Sequence, residues 1–181
     1  MANTYTQIYI QVIFAVELRQ NLIRPENKEE IHKDVTGIVR NKGQKLIAIN
    51  SRPNHLHMLL GMKPDIALSD LVRELKKSST SFINKKRWVR GHFNWQSGFG
   101  AFSYSRSDLD RVIRYIQNQD HHHAKKSFKE EYLTFLRKFD VEFDKKYLFE
   151  FSDYAGVGSL FGRLMLNPFR DDRNHLVVGC L

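Results

Sequence analysis

The chain has 181 residues and a net charge of +9, from 29 Lys plus Arg against 20 Asp plus Glu; that length suits one domain with an appendage, and the basic balance points to a polyanionic partner, nucleic acid first. No run approaches the roughly eighteen apolar residues that a membrane span requires, and the N-terminus lacks the basic-then-apolar order of a secretory signal, so a cytoplasmic protein is expected. The one cysteine, Cys180, excludes an internal disulfide framework and a cysteine-based zinc site.

The charge is unevenly placed. Residues 152–181 hold Arg163, Arg170 and Arg173 against Asp153, Asp171 and Asp172, so the whole +9 lies in residues 1–151. The division expected is a basic functional domain over 1–151 and a C-terminal extension over 152–181.

In chain order, TYTQIYIQVIFAV (4–16) is β-branched and aromatic and predicts a long first strand. Ile31, Val35, Ile38 and Val39 follow at helical spacing, with Gly43 as terminator. KLIAINSR (45–52), the turn PN and HLHMLLGM (55–62) predict a hairpin. Leu68, Leu71, Val72, Leu75, Phe82 and Ile83 make the apolar stripe of a basic helix with Ser69 as a candidate N-cap. HFNWQSGFGAFSYS (92–105) reads as a fourth strand, bulged or closely approached at Gly98 and Gly100. Ser107–Asp110 resembles a capping box ahead of Leu109, Val112, Ile113 and Ile116, and Ser127 with Glu130 opens a last helix to about Phe139. The order predicts an α+β fold: a ferredoxin-like antiparallel sheet with helices packed on one face.

Residues i and i+2 of a strand share a face, so His55 and His57 project together with Leu59, while Leu56, Met58 and Leu60 point the other way. Two neutral imidazoles on an otherwise apolar strand are costly to bury without partners, and one shared cation satisfies both. A third ligand is then required. Tyr115 and Gln119 lie one helical turn apart at the margin of the following apolar stripe, where side chains can lean over a sheet edge; spacing alone favours the plainer reading of a boundary tyrosine and a surface glutamine.

PNHLHMLL, WQSGFGAFSYS and YIQNQDHHH, in this order, together resemble the single-tyrosine HUH transposases, the insertion-sequence-200-like family that includes the REP-associated tyrosine transposases. The resemblance spans about residues 4–150. It implies that His55 and His57 bind a divalent metal, Mg2+ or Mn2+, with Gln119 completing the site, and that Tyr115 is the nucleophile. The implied activity is DNA transposition: metal-dependent cleavage and rejoining of single-stranded DNA through a covalent 5′-phosphotyrosine, at hairpin-forming element ends, by a protein that forms homodimers. In such dimers the tyrosine helix can complete the partner's site, so pairing within or between chains stays open.

Arg73, Lys76, Lys77, Lys85, Lys86 and Arg87 offer cations for DNA phosphates, and the aromatics of residues 93–104 offer either stacking surfaces or core. His121, His122 and His123 mark a helix end, where cationic His favours the dipole, with His122 placed to approach a phosphate. Two rival readings remain: a non-catalytic single-stranded nucleic-acid-binding module on the same sheet, and a zinc hydrolase using His55, His57 and one of His121–His123.

Overall fold

The computed structural model describes residues 4–119, 127–144 and 148. Four antiparallel strands, β1 (Ile8–Ala15), β2 (Lys45–Arg52), β3 (His55–Met62) and β4 (Gly100–Tyr104), lie in the order β2-β3-β1-β4. Helices α1 (Pro25–Asn41), α2 (Leu68–Lys86), α3 (Leu109–Gln117) and α4 (Phe128–Lys138), with 3-10 turns at Glu17–Arg19 and Arg106–Asp108, complete the described elements. Among the described residues no helix is long and apolar enough to cross a membrane. The predicted extension over 152–181 and the tract His121–His123 lie outside the described residues.

The α+β antiparallel architecture is as expected, and α1 and α2 cover one face of the sheet over Val12, Phe14, Leu56, Met58 and Leu60. The layering extends beyond the single helical face anticipated: α3 packs on Ala48 and Leu59, and α4 on Ile13, Ala15 and Phe102, which belong to the opposite face. The physical reason is that the two central strands are buried on both faces, with Ile13, Ala15 and Leu59 adding apolar area on the second, and each buried aliphatic or aromatic side chain contributes about 1.5–3 kcal/mol. A single helical layer would leave half of that burial unrealised.

The hairpin turns at Pro53-Asn54, as its composition predicted. In β2 the register shifts between Leu46 and Ala48, and this bulge inverts the parity of the strand. Leu46 faces α1 and α2, whereas Ala48 faces α3.

Several local expectations are corrected. α2 is capped by Ala67, with Ser69 inside the first turn. α3 follows a 3-10 turn at Arg106–Asp108, and its N-cap Asp108 makes no capping bond to the helix backbone; the side chain instead accepts from Ser105 Oγ at 2.7 Å. The strand expected over 92–105 is ordered as a strand only from Gly100, because Gly98 turns the chain with φ 74° and Trp95 makes a single bridge to Val16. The reciprocal capping box of Ser127 and Glu130 is present, and Gly43 follows α1 with φ 71°.

Gly100 permits close approach of α4 to the sheet: a Cβ there would lie 2.8 Å from the Tyr132 ring. Gly100→Ala is therefore expected to destabilise the protein by about 1–3 kcal/mol in chemical denaturation, the cost of overpacking. His32 on α1 contacts Ser51 Oγ at 2.9 Å, and burial, with help from Lys28, pushes its imidazole down to about 4. The unfolded chain, with a His pKa near 6.5, then binds the proton first. Stability is expected to fall as pH drops from about 6.5 to about 4, and His32→Gln should flatten that part of the stability-pH curve.

Candidate metal and tyrosine site

β3 is central and buried on both faces, so its two imidazoles are covered: His55 is 1% exposed and His57 0%. Each is oriented through Nδ1. His55 Nδ1 lies 2.6 Å from the Oδ1 of Asn54 in the hairpin turn, and His57 Nδ1 lies 3.2 Å from Nε2 of Gln11 on β1. Both rings thereby turn Nε2 toward α4, where Glu131 Oε2 is 3.9 Å from His55 Nε2 and 3.5 Å from His57 Nε2. Phe128 of α4 stacks on the His55 ring with centroids 4.0 Å apart.

Tyr115 and Gln119 reach the same carboxylate from α3. The Tyr115 hydroxyl donates to Glu131 Oε1, and Gln119 Nε2 donates to that oxygen at 3.2 Å. Burial first, and the Glu131 charge second, raise the Tyr115 hydroxyl well above the ordinary phenol value. Regular helix ends at Gln117, so Gln119 stands just past α3, still turned inward and 0% exposed. The Tyr115 and His57 rings are 6.3 Å apart within one chain.

The end of α3 is tied to the sheet by Asn50. Beyond the β2 bulge this residue pairs with His57 across the hairpin, and its Nδ2 donates to the carbonyls of Ile116 at 2.8 Å and Gln117 at 3.1 Å. Two carbonyls that a helix C-terminus leaves open are satisfied by one buried amide. The same amide, with Val112 and Ile116 packed on Ala48 and Leu59, ties the tyrosine helix to the sheet that carries the histidines.

The arrangement fits a divalent cation. One donor atom from each of His55, His57 and Glu131 lies within 4.8 Å of the others. Ligands about 2.1 Å from a metal stand roughly 3–4 Å apart, which the separations to Glu131 Oε2 match. His57 Nε2 and Gln119 Oε1 are buried and make no hydrogen bond among the described residues, as expected of atoms reserved for a further partner.

Glu131 was not singled out from the sequence, although a signal existed. It interrupts the stripe Phe128, Tyr132, Phe135 and Leu136 on the buried face of α4, and a carboxylate on an apolar face needs a partner.

The basic residues lie elsewhere. α2 packs on the sheet face opposite the histidines, with Arg73, Lys77, Lys85, Lys86 and Arg87 exposed. Lys76 departs from the expected solvent-facing cation: its ammonium donates to the carbonyls of Gln96 and Gly98, lies over the Phe14 ring, and is pushed down to about 8 by burial. Phe93, Trp95 and Phe102 are core residues, and Phe99 is partly exposed.

The chain is similar to known proteins in sequence and fold. The family profile described as IS200-like transposase matches residues 4–119. The ISDra2 transposase TnpA of Deinococcus radiodurans is 23% identical over 118 residues, covering 62% of this chain and 84% of that protein. A crystal structure of a Deinococcus radiodurans protein assigned as a transposase superposes with TM-score 0.53 at 21% identity, over 66% of this chain and 95% of the other. A REP-associated tyrosine transposase bound to a REP hairpin superposes with TM-score 0.52 at 17% identity, over 68% and 73% of the two chains.

Asn50→Leu would strand two buried carbonyls and release the end of α3. The expected loss is about 2 kcal/mol of unfolding free energy, together with faster amide hydrogen exchange at residues 116–119 than elsewhere in the sheet layer.

Proposed function

The chain belongs to the IS200-like transposase family, and from that membership and the site geometry we propose that it cleaves and rejoins single-stranded DNA by transesterification through Tyr115. The observation that carries this reading is the convergence, inside one chain, of the Tyr115 hydroxyl, two imidazole Nε2 atoms and the Gln119 carboxamide around Glu131. A phosphodiester resists nucleophiles because of its charge, and a neutral phenol is a weak nucleophile. Both difficulties must be met at one point.

His55, His57, Gln119 and Glu131 would hold the cation, and the mixture of nitrogen and oxygen donors with phosphoryl chemistry favours Mn2+ or Mg2+. When bound, that ion supplies the positive charge that stabilises the phosphate at its crowded transition state. Tyr115 Oη bonds to phosphorus as the bond from phosphorus to the 3′ oxygen breaks, leaving a 5′-phosphotyrosine and a 3′-hydroxyl. Glu131 Oε1, which already accepts the Tyr115 hydrogen bond, is placed to take the phenolic proton; the departing oxygen gains a proton from that carboxyl or from water. One phosphoester is exchanged for another, so rejoining is the same step reversed and needs no nucleotide cofactor.

Glu131 and the stacked Phe128 close the cation site from the α4 side, and a carboxylate there lies where a phosphate oxygen would bind. For DNA to enter, α4 must therefore shift so that Glu131 Oε2 cedes its place to a phosphate oxygen while Oε1 keeps its contact with Tyr115. Hairpin DNA is the proposed substrate class, supported by the REP hairpin bound to the structurally similar transposase. A second copy of the chain is not needed to bring histidine and tyrosine together. Homodimerisation would then serve to hold two DNA ends.

The test is incubation of the protein with labelled single-stranded hairpin DNA and Mn2+ or Mg2+, followed by denaturing electrophoresis. A protein-DNA species that survives denaturation is expected, absent in Tyr115→Phe although that variant still binds DNA, and absent in His57→Ala. A full yield of adduct from Tyr115→Phe overturns the assignment. Binding with no adduct and no metal dependence would favour the non-catalytic binding module instead.

A further inference from the structure

Gln11, Tyr104 and His57 form a diagonal line across three adjacent strands on the face that carries the site. Gln11 is paired with Leu59 of β3 and Phe102 of β4, so His57 and Tyr104 are its diagonal neighbours. Gln11 is 0% exposed, an unusual setting for a carboxamide, and both ends of its amide are used. Tyr104 Oη donates to Oε1 at 3.0 Å, and Nε2 faces His57 Nδ1 at 3.2 Å. Tyr104 is held protonated, pushed up to about 12 chiefly by burial, so its hydroxyl remains able both to donate and to accept.

A primary amide can turn by half a rotation and exchange its donor and acceptor ends. With nitrogen toward His57, as in the structure, the amide donates to Nδ1, and a neutral imidazole then carries its proton on Nε2, facing Glu131. That tautomer cannot offer Nε2 to a cation. With oxygen toward His57, the amide accepts from Nδ1–H, Nε2 presents its lone pair, and the amide nitrogen donates to Tyr104 Oη. All three groups remain hydrogen-bonded in both arrangements. His55 stands differently in the structure: its Nδ1 already meets an oxygen, Asn54 Oδ1, which accepts from Nδ1–H.

We propose that Gln11, backed by Tyr104, is a positioning residue whose amide orientation selects the His57 tautomer, so that the chain Tyr104–Gln11–His57 reverses its hydrogen-bond direction when a divalent cation binds. This rests on the metal reading above. It assigns to β1 a control of the metal centre that neither the histidine motif nor the tyrosine helix contains. Groups that orient a ligating histidine through its second nitrogen characteristically change metal affinity by 10–100-fold.

The experiment uses the full chain without DNA. Mn2+ affinity is measured by calorimetry for the unchanged protein, Gln11→Leu and Gln11→Glu, and the nitrogen shifts of the His57 ring are recorded without and with Mg2+. The unchanged protein should place the His57 proton on Nε2 without metal and on Nδ1 with it. Gln11→Leu should weaken Mn2+ binding by about 10–100-fold, whereas Gln11→Glu, whose carboxylate only accepts, should keep the proton on Nδ1 throughout and bind at least as tightly as the unchanged protein. Rescue by Glu separates positioning from mere filling of space, since a buried carboxylate fills it no better than Leu. Equal affinity in Gln11→Leu and the unchanged protein, or no movement of the proton on adding Mg2+, overturns the inference and leaves the metal centre standing. No divalent binding by the unchanged protein removes both.

Discussion

A strand buried on both faces must find a partner for every polar side chain it carries, and β3 carries two imidazoles. From His55 to Leu60 every residue of that strand is buried. The even residues enter an apolar layer beneath α1 and α2. Of the odd ones, His55 and His57 enter beside Leu59 a layer that would be equally apolar were it not supplied with Asn54, Gln11, Gln119 and Glu131. Uncompensated burial of such groups costs several kcal/mol. The polar chemistry of the site is therefore also a condition for the stability of the sheet.

That condition explains the placement of α3 and α4. α3 supplies Val112 and Ile116 against Ala48 and Leu59, and Asn50 satisfies its last carbonyls, so the helix is held both by apolar contact and by a buried amide. α4 buries Phe128, Tyr132, Phe135 and Leu136 around Glu131. A carboxylate enclosed in this way is tolerable because a phenol, a carboxamide and two imidazoles surround it. The same enclosure makes the site compact and closed. Retention of a cation and access of DNA would then place opposed demands on one helix, with the balance set by how firmly α4 is docked.

The basic helix α2 lies across the sheet from the tyrosine. Its exposed cations can attract a polyanion to the molecule, since steering acts over roughly the Debye length of about 8–10 Å and beyond the contact surface. A DNA strand engaging both faces must pass around a sheet edge, and β2 and β4 are the two edges available.

How much of this was legible in the sequence follows from the range of the interactions involved. The alternation of HLHMLL determined that the two histidines share a face, and helical spacing determined the stripes of α1, α2 and α3, because each depends on residues a few positions apart. Ser127 and Glu130 announced their capping box for the same reason. The motif order also identified the family to which the chain belongs. What only tertiary structure decided involves groups far apart in the chain. The bulge at Leu46 and Ala48 turned Asn50 toward α3, the diagonal strand register set Gln11 against His57, and the docking of α4 brought Glu131 to groups on β3 and α3. Pairing register and helix docking are fixed by the burial of whole faces, and no local pattern encodes them.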